Sequence, residues 1–207
     1  MRLPSLDEGQ TRFKPYHSGF REAARIAHGR WINKVRPEYA QCSLRVVRNN
    51  VTPLFAQEAR TLLGGLNGIR FIDTRNKQTL TVFSPRAVGE RPWVARYKHV
   101  DSNFRAHNIP TKATMRFDAQ EDLADVPSGS IYFTLAYQMA GPDSELVGPF
   151  IILALHDKIF WRYNIDNPED HLEATYLYNG GAPLLPTRRV RPARGLTPKK
   201  KRDTPER

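Results

Sequence analysis

Between residues 20 and 31 the apolar positions Phe20, Ala23, Ala24, Ala27 and Trp31 recur every three to four residues. That is one face of a helix. The spacing predicts a helix over 17–35, with Ser18 as N-cap, Glu22 near the first turn and Pro37 closing it. Residues 1–16, with Pro4 and Pro15 among polar neighbours, read as an extended arm. Residues 44–49 read as a strand. Thr52-Pro53 then offers a cap and a first-turn proline, and Gly64-Gly65 a stop. Between them Leu54, Phe55, Ala59, Leu62 and Leu63 predict a short amphipathic helix.

Beyond residue 68 the period shifts towards two. Residues 69–73 and 79–83 predict a hairpin across 74–78. Along 93–100, Val94, Arg96, Lys98 and Val100 point one way and Trp93, Ala95, Tyr97 and His99 the other. A strand is expected over 113–117. Another is expected over 130–139, with Ile131, Phe133, Leu135 and Tyr137 on one face. Residues 147–155 are apolar on both faces, the mark of a central strand, and return through 159–165 by a turn at His156-Asp157-Lys158. Asn167-Pro168-Glu169-Asp170 reads as the opening of a short helix, 176–178 as a last edge strand, and Gly180-Gly181 as the end of the globule. The reading is an α+β fold of about nine strands, mostly antiparallel, built as a sandwich or an open barrel with an N-terminal helix and one or two short helices. One domain over 17–182 follows the arm, and 183–207 form a disordered basic tail.

Charge changes the picture. Residues 1–116 hold 21 Lys/Arg against 8 Asp/Glu, 117–187 hold 2 against 11, and 188–207 hold 9 against 2. Segregation on this scale points to an anionic partner for the basic parts. The acidic block is either a contact surface for the chain's own basic parts, a docking face for a protein partner, or a surface for a second copy. The single cysteine, Cys42, cannot form an internal disulfide and suits a reducing compartment. The N-terminus lacks an apolar signal core, and the longest apolar run, 150–155, is too short to span a bilayer. An intracellular setting is expected, nuclear or cytoplasmic in a eukaryotic host. Pro198-Lys199-Lys200-Lys201-Arg202 has the form of a nuclear import signal that an import receptor would read.

The chain is expected to bind RNA or DNA without base specificity and without catalysis. Phosphate contacts are assigned to Arg21, Arg25, Arg30, Arg96 and Lys98, and in the tail to Arg188, Arg189, Arg191, Arg194, Lys199, Lys200, Lys201 and Arg202. Trp93 and Tyr97 are the candidate stacking residues for a single strand. A β-rich body with a basic arm is an architecture shared by viral coat, movement and silencing proteins and by ribosome-associated proteins. The alternative is an acidic-polysaccharide-binding protein or lyase using Tyr97, His99, Tyr137 and Arg162. His99, Asp101 and His107 have a spacing that a strand and a following loop can fold into three metal ligands, although such triplets arise often by chance. No metal or cofactor is assigned, because phosphate-loop, nucleophile-elbow, zinc-protease and paired-cysteine motifs are all absent from the sequence.

Overall fold

A computed structural model describes residues 2–39, 42–75, 77–106, 111–156 and 158–173. Helices α1 (Leu6–Phe13), α2 (His17–Arg30) and α3 (Leu44–Leu63) precede a seven-stranded sheet. Its strands are β1 (Ile69–Asp73), β2 (Thr79–Phe83), β3 (Trp93–His99), β4 (Ile131–Gln138), β5 (Val147–Leu155), β6 (Lys158–Asn164) and β7 (His171–Glu173). They lie in sequence order and pair antiparallel, except that β3 and β4 are parallel. A parallel pair needs a long crossover, and residues 100–130, carrying α4 (Lys112–Asp118), provide it.

The expected α+β class, with a mostly antiparallel sheet, is what forms. The sheet is single and open, not a sandwich or barrel, and the described residues form seven strands where about nine are expected. Helices α1 to α3 cover one face. Phe13, Phe20, Trp31, Phe55, Phe133 and Leu153 join there in one core. The crossover covers the other face, where Phe117 of α4 packs with Leu80, Val82, Val94 and Tyr132. The alternation read from β3 and β4 holds. Trp93, Ala95, Tyr97, Phe133 and Leu135 face the helices, while Val94 and Tyr132 face the crossover. Strand β5 is central and buried on both faces, as its apolar run predicts. No helix among the described residues is long and apolar enough to cross a membrane.

Five local expectations fail. Ser18 does not cap α2, because the helix already begins at His17 with Tyr16 in the N-cap position. Residues 1–16 are not an extended arm. Ser5 accepts from the Glu8 amide while Glu8 accepts from the Ser5 amide, a capping box that starts α1. The expected strand 44–49 and the helix after Pro53 are one helix, α3. Val47, Val51, Phe55, Ala59 and Leu63 recur every fourth residue and are all buried, and that stripe outweighs the proline. Gly64 ends α3 as expected. Residues 113–117 are helical because Thr111 caps the amide of Thr114 at 3.2 Å. The turn at 167–170 leads into β7, not a helix, and Asn164 donates from its amide to the carbonyl of Asp170. The expected strand 176–178, the Gly180-Gly181 stop and the tail 183–207 lie outside the described residues.

Candidate anion-binding cleft

Strand β3 outruns β2. Their pairing begins at Leu80 opposite Arg96, so Lys98 and His99 project past the end of β2. A cleft of about 1000 Å³ opens there, walled by the first half of α3 on one side and by α4 on the other. Arg45, Arg48, Arg96, Lys98, Lys112 and Arg116 line it, with Asp125 as the one carboxylate among the lining residues. The period of two along β3 predicts Arg96 and Lys98 on one face, and they do share the crossover side. Arg45, Arg48, Lys112 and Arg116 escape the sequence reading, because 44–49 and 113–117 read as strands and Lys112 stands just before the second. The spacing of Arg45, Arg48 and Thr52, three and then four residues apart, is the helical signal that places them on one face.

Three of the wall charges are neutralised. Arg96 is 7 % exposed, pairs with Asp118 at 2.6 Å, reaches the Thr134 hydroxyl at 3.3 Å and lies over the Phe117 ring at 4.0 Å. Arg116 faces Glu121 at 3.6 Å, and Asp125 faces Arg75 at 3.5 Å. Arg45, Arg48, Lys98 and Lys112 have no carboxylate partner among the described residues. Arg48 donates through Nε to His99 Nδ1 at 3.2 Å. The ring Nε2 lies 3.1 Å from the Met139 carbonyl and 3.4 Å from the Met139 amide. Both ring nitrogens are thus engaged, and the imidazole holds the root of the Arg48 guanidinium. Lys98 is half-buried beside Arg96. Burial, and then the Arg96 charge, push its amine down to about 8, while Asp118 opposes the shift.

The basic residues assigned on α2 have other work. Arg21 pairs with Asp166 at 2.5 Å and Arg25 with Glu22 at 2.5 Å, and Arg30 pairs with Glu58. Five of the eleven acids of residues 117–187 are spent in the same way. Asp118, Glu121, Asp125, Asp143 and Asp166 each face an arginine of residues 1–116. Of the readings open for that block, contact with the chain's own basic part is the one that these pairs form. The charge segregation along the sequence is partly cancelled in space, and the cleft is one place where cations remain in excess.

Trp93 and Tyr97 are 5 % and 3 % exposed and lie in the core under the helices, so neither offers a ring face to a base. The reason is their parity on β3: the face they share is the one the helices bury. Tyr97 exchanges a hydrogen bond with Thr81 at 2.6 Å, and Tyr137 one with Thr52 at 2.9 Å. Burial pushes both phenols well above their ordinary range, and neither reaches a groove as a polysaccharide-cleaving base would have to. Arg162 pairs with Asp170 at 3.3 Å and lies over Phe104. Asp101 accepts from the amides of Asn103 and Arg105, both at 2.9 Å, as a turn residue. His107 and the tail residues Arg188 to Arg202 lie outside the described residues. Among the described residues no group of three His, Cys, Asp or Glu side chains comes together as a metal site. In comparisons with protein-family models, curated proteins and solved structures, none matches this chain.

Proposed function

We propose that this chain binds nucleic acid without base specificity, the cleft between α3 and α4 taking backbone phosphates and the basic segment 188–207 adding affinity. One observation carries the reading. Arg45, Arg48, Lys98 and Lys112 line one cleft with no carboxylate ion pair among the described residues, while ten of the other fourteen arginines of residues 1–116 face an acid. A phosphodiester strand supplies repeated negative charge to such a group of cations and releases counterions on binding. With Trp93 and Tyr97 buried, base stacking on them drops out of the proposal, and affinity rests on charge. A setting inside the cell fits such a ligand, in the nucleus or cytoplasm if the host is eukaryotic, where the run 198–202 would engage an import receptor.

The test is binding of the full chain to fluorescent single-stranded and duplex RNA and DNA across a salt series, with heparin as competitor. The double variant Arg45→Gln/Lys112→Gln removes two exposed wall charges. If both contact phosphates, the slope of log K against log salt flattens by roughly 1.4 on single strands and roughly 1.8 on duplex DNA. Arg25→Gln, on α2 and paired with Glu22, leaves the slope unchanged. A 1–187 truncation weakens binding further. Salt-insensitive binding, no binding, or binding to heparin alone overturns the reading.

A further inference from the structure

We propose that Lys98 is a nucleophilic amine that forms an imine with an aldehyde or ketone carried on a phosphorylated ligand seated in the cleft. The inference rests on the cleft as an anion site, and so on the reading above, but asks for a covalent step which strand binding does not need.

Three observations place the amine. Of the lysines among the described residues, Lys14, Lys34, Lys77, Lys112 and Lys158 are exposed, and Lys98 alone is not. It lies on the cleft lining where β3 outruns β2, so its side chain borders about 1000 Å³ of open space and not a packed core. No side-chain hydrogen bond or ion pair from the described residues engages it, and the nearby carboxylates are taken, Asp118 by Arg96 at 2.6 Å and the cleft-lining Asp125 by Arg75 at 3.5 Å. A desolvated lysine beside another fixed cation is the environment in which an amine is held neutral enough to attack a carbonyl. The group acts in that direction here. With its amine at about 8, roughly a quarter is neutral at pH 7.5, against about a thousandth for an ordinary lysine.

Arg45, Arg48 and Lys112 give the ligand its second requirement, a phosphate to neutralise them. The step balances without an added oxidant or reductant. The neutral Nζ lone pair adds to the carbonyl carbon as the carbonyl π bond breaks, and a proton moves from nitrogen to oxygen. The C–O bond then breaks, the hydroxyl leaves as water with a proton taken from solvent, and the nitrogen lone pair closes the C=N bond. The product is a protonated imine that becomes the neutral imine when its N–H proton returns to solvent. His99 does not serve as the proton carrier, since Arg48 and Met139 occupy its two nitrogens. The same phosphorylated carbonyl occurs in a small sugar phosphate and in an abasic nucleotide of a strand.

The full chain is incubated near pH 7.5 with glyceraldehyde 3-phosphate, or with a single strand carrying an abasic site, each with cyanoborohydride. Peptide mass mapping then locates the reduced adduct. We expect Lys98 to be labelled at least about tenfold faster than any exposed lysine, with Lys98→Arg losing that adduct. Adduct from the sugar phosphate alone assigns a small ligand, and adduct from the abasic strand assigns the nucleic acid. Labelling spread over the exposed lysines, with Lys98 no faster than they are, overturns the proposal. The wild-type map compares lysines within one molecule, so it needs no variant to fold. Binding of unmodified strands, measured on the same protein, separates failure of the imine from failure of the cleft as a phosphate site.

Discussion

Arg96 and Lys98 stand two residues apart on one face of β3, and of the two only Arg96 has a counterion among the described residues: Asp118 meets it at 2.6 Å. The arrangement splits two like charges into one that holds the crossover to the sheet and one left facing the cleft. Arg96 is buried and its guanidinium stays protonated, so Asp118 offsets a desolvation cost that the fold cannot avoid.

Removing that counterion is therefore expected to be costly. Asp118→Asn should destabilise the chain by roughly 1–3 kcal/mol in a denaturant titration, because a buried cation loses its partner while Asp118 itself is a third exposed. Asp166→Asn removes the partner of Arg21 in a pair about half exposed on both sides, and should cost less than about 1 kcal/mol. Equal costs for the two variants would show that Arg96 is better solvated than its surroundings imply.

Lys98 sets a pH dependence whose sign can be worked out. Its amine lies lower in the folded chain, at about 8, than the ordinary 10.5. Between those values the unfolded chain binds a proton that the folded chain has lost. Stability from this group therefore rises with pH from about 8 to 10.5. Affinity for a polyanion moves the other way in the same window, since the neutral amine no longer attracts phosphate. Paired melting and binding curves for wild type and Lys98→Met should differ there and run parallel below about pH 7.

His17 controls the acid side. Its Nε2 lies 2.9 Å from the Tyr163 hydroxyl, and burial, then Arg21 and Lys14, lower its pKa from 6.5 to about 4. In that range the unfolded chain takes up a proton that the folded chain refuses, so stability falls as pH drops from 6.5 towards 4. His17→Gln keeps a hydrogen-bonding side chain without the titration and should flatten that part of the curve. An unchanged acid limb would remove His17 as its source.

The docking of α1 on the sheet depends on one absent side chain. A Cβ on Gly9 would come within 2.5 Å of the Trp161 ring, and the same ring donates its Nε1 proton to the Pro4 carbonyl at 2.8 Å. Gly9→Ala should cost roughly 1–3 kcal/mol, although alanine is the better helix former. Gly29→Ala, where a Cβ would meet nothing within 4 Å, should be neutral or mildly stabilising. Urea midpoints for the two variants separate these outcomes.

Much of the sheet is legible in the sequence because a half-buried strand writes its two faces into alternate residues. The bounds that periodicity predicts for β1, β2 and β5 are those of the fold, and the parity of β3 suffices to put Arg96 and Lys98 on one face. The helices are harder to read where a local rule competes with packing. Pro53 argues for a helix start, and only the buried stripe from Val47 to Leu63 reveals one helix running through it. The same competition hides Arg45 and Arg48, which lie on the turns of α3 that precede the proline.

Periodicity and composition are local or additive properties, and they carry the α+β class, the central place of β5, the residues that share a strand face, and an excess of positive charge in search of anions. Which charges remain unpaired is a property of the assembled fold alone. The acidic block directly follows the basic one in sequence, but the residues that pair are 22 to 145 positions apart: Asp166 reaches Arg21, Asp143 reaches Arg36 and Asp118 reaches Arg96 once the sheet and its crossover assemble. Coulomb interactions depend on distance in space, so linear charge blocks do not tell a neutralised helix face from the cleft where Lys98 stands apart from any described carboxylate partner.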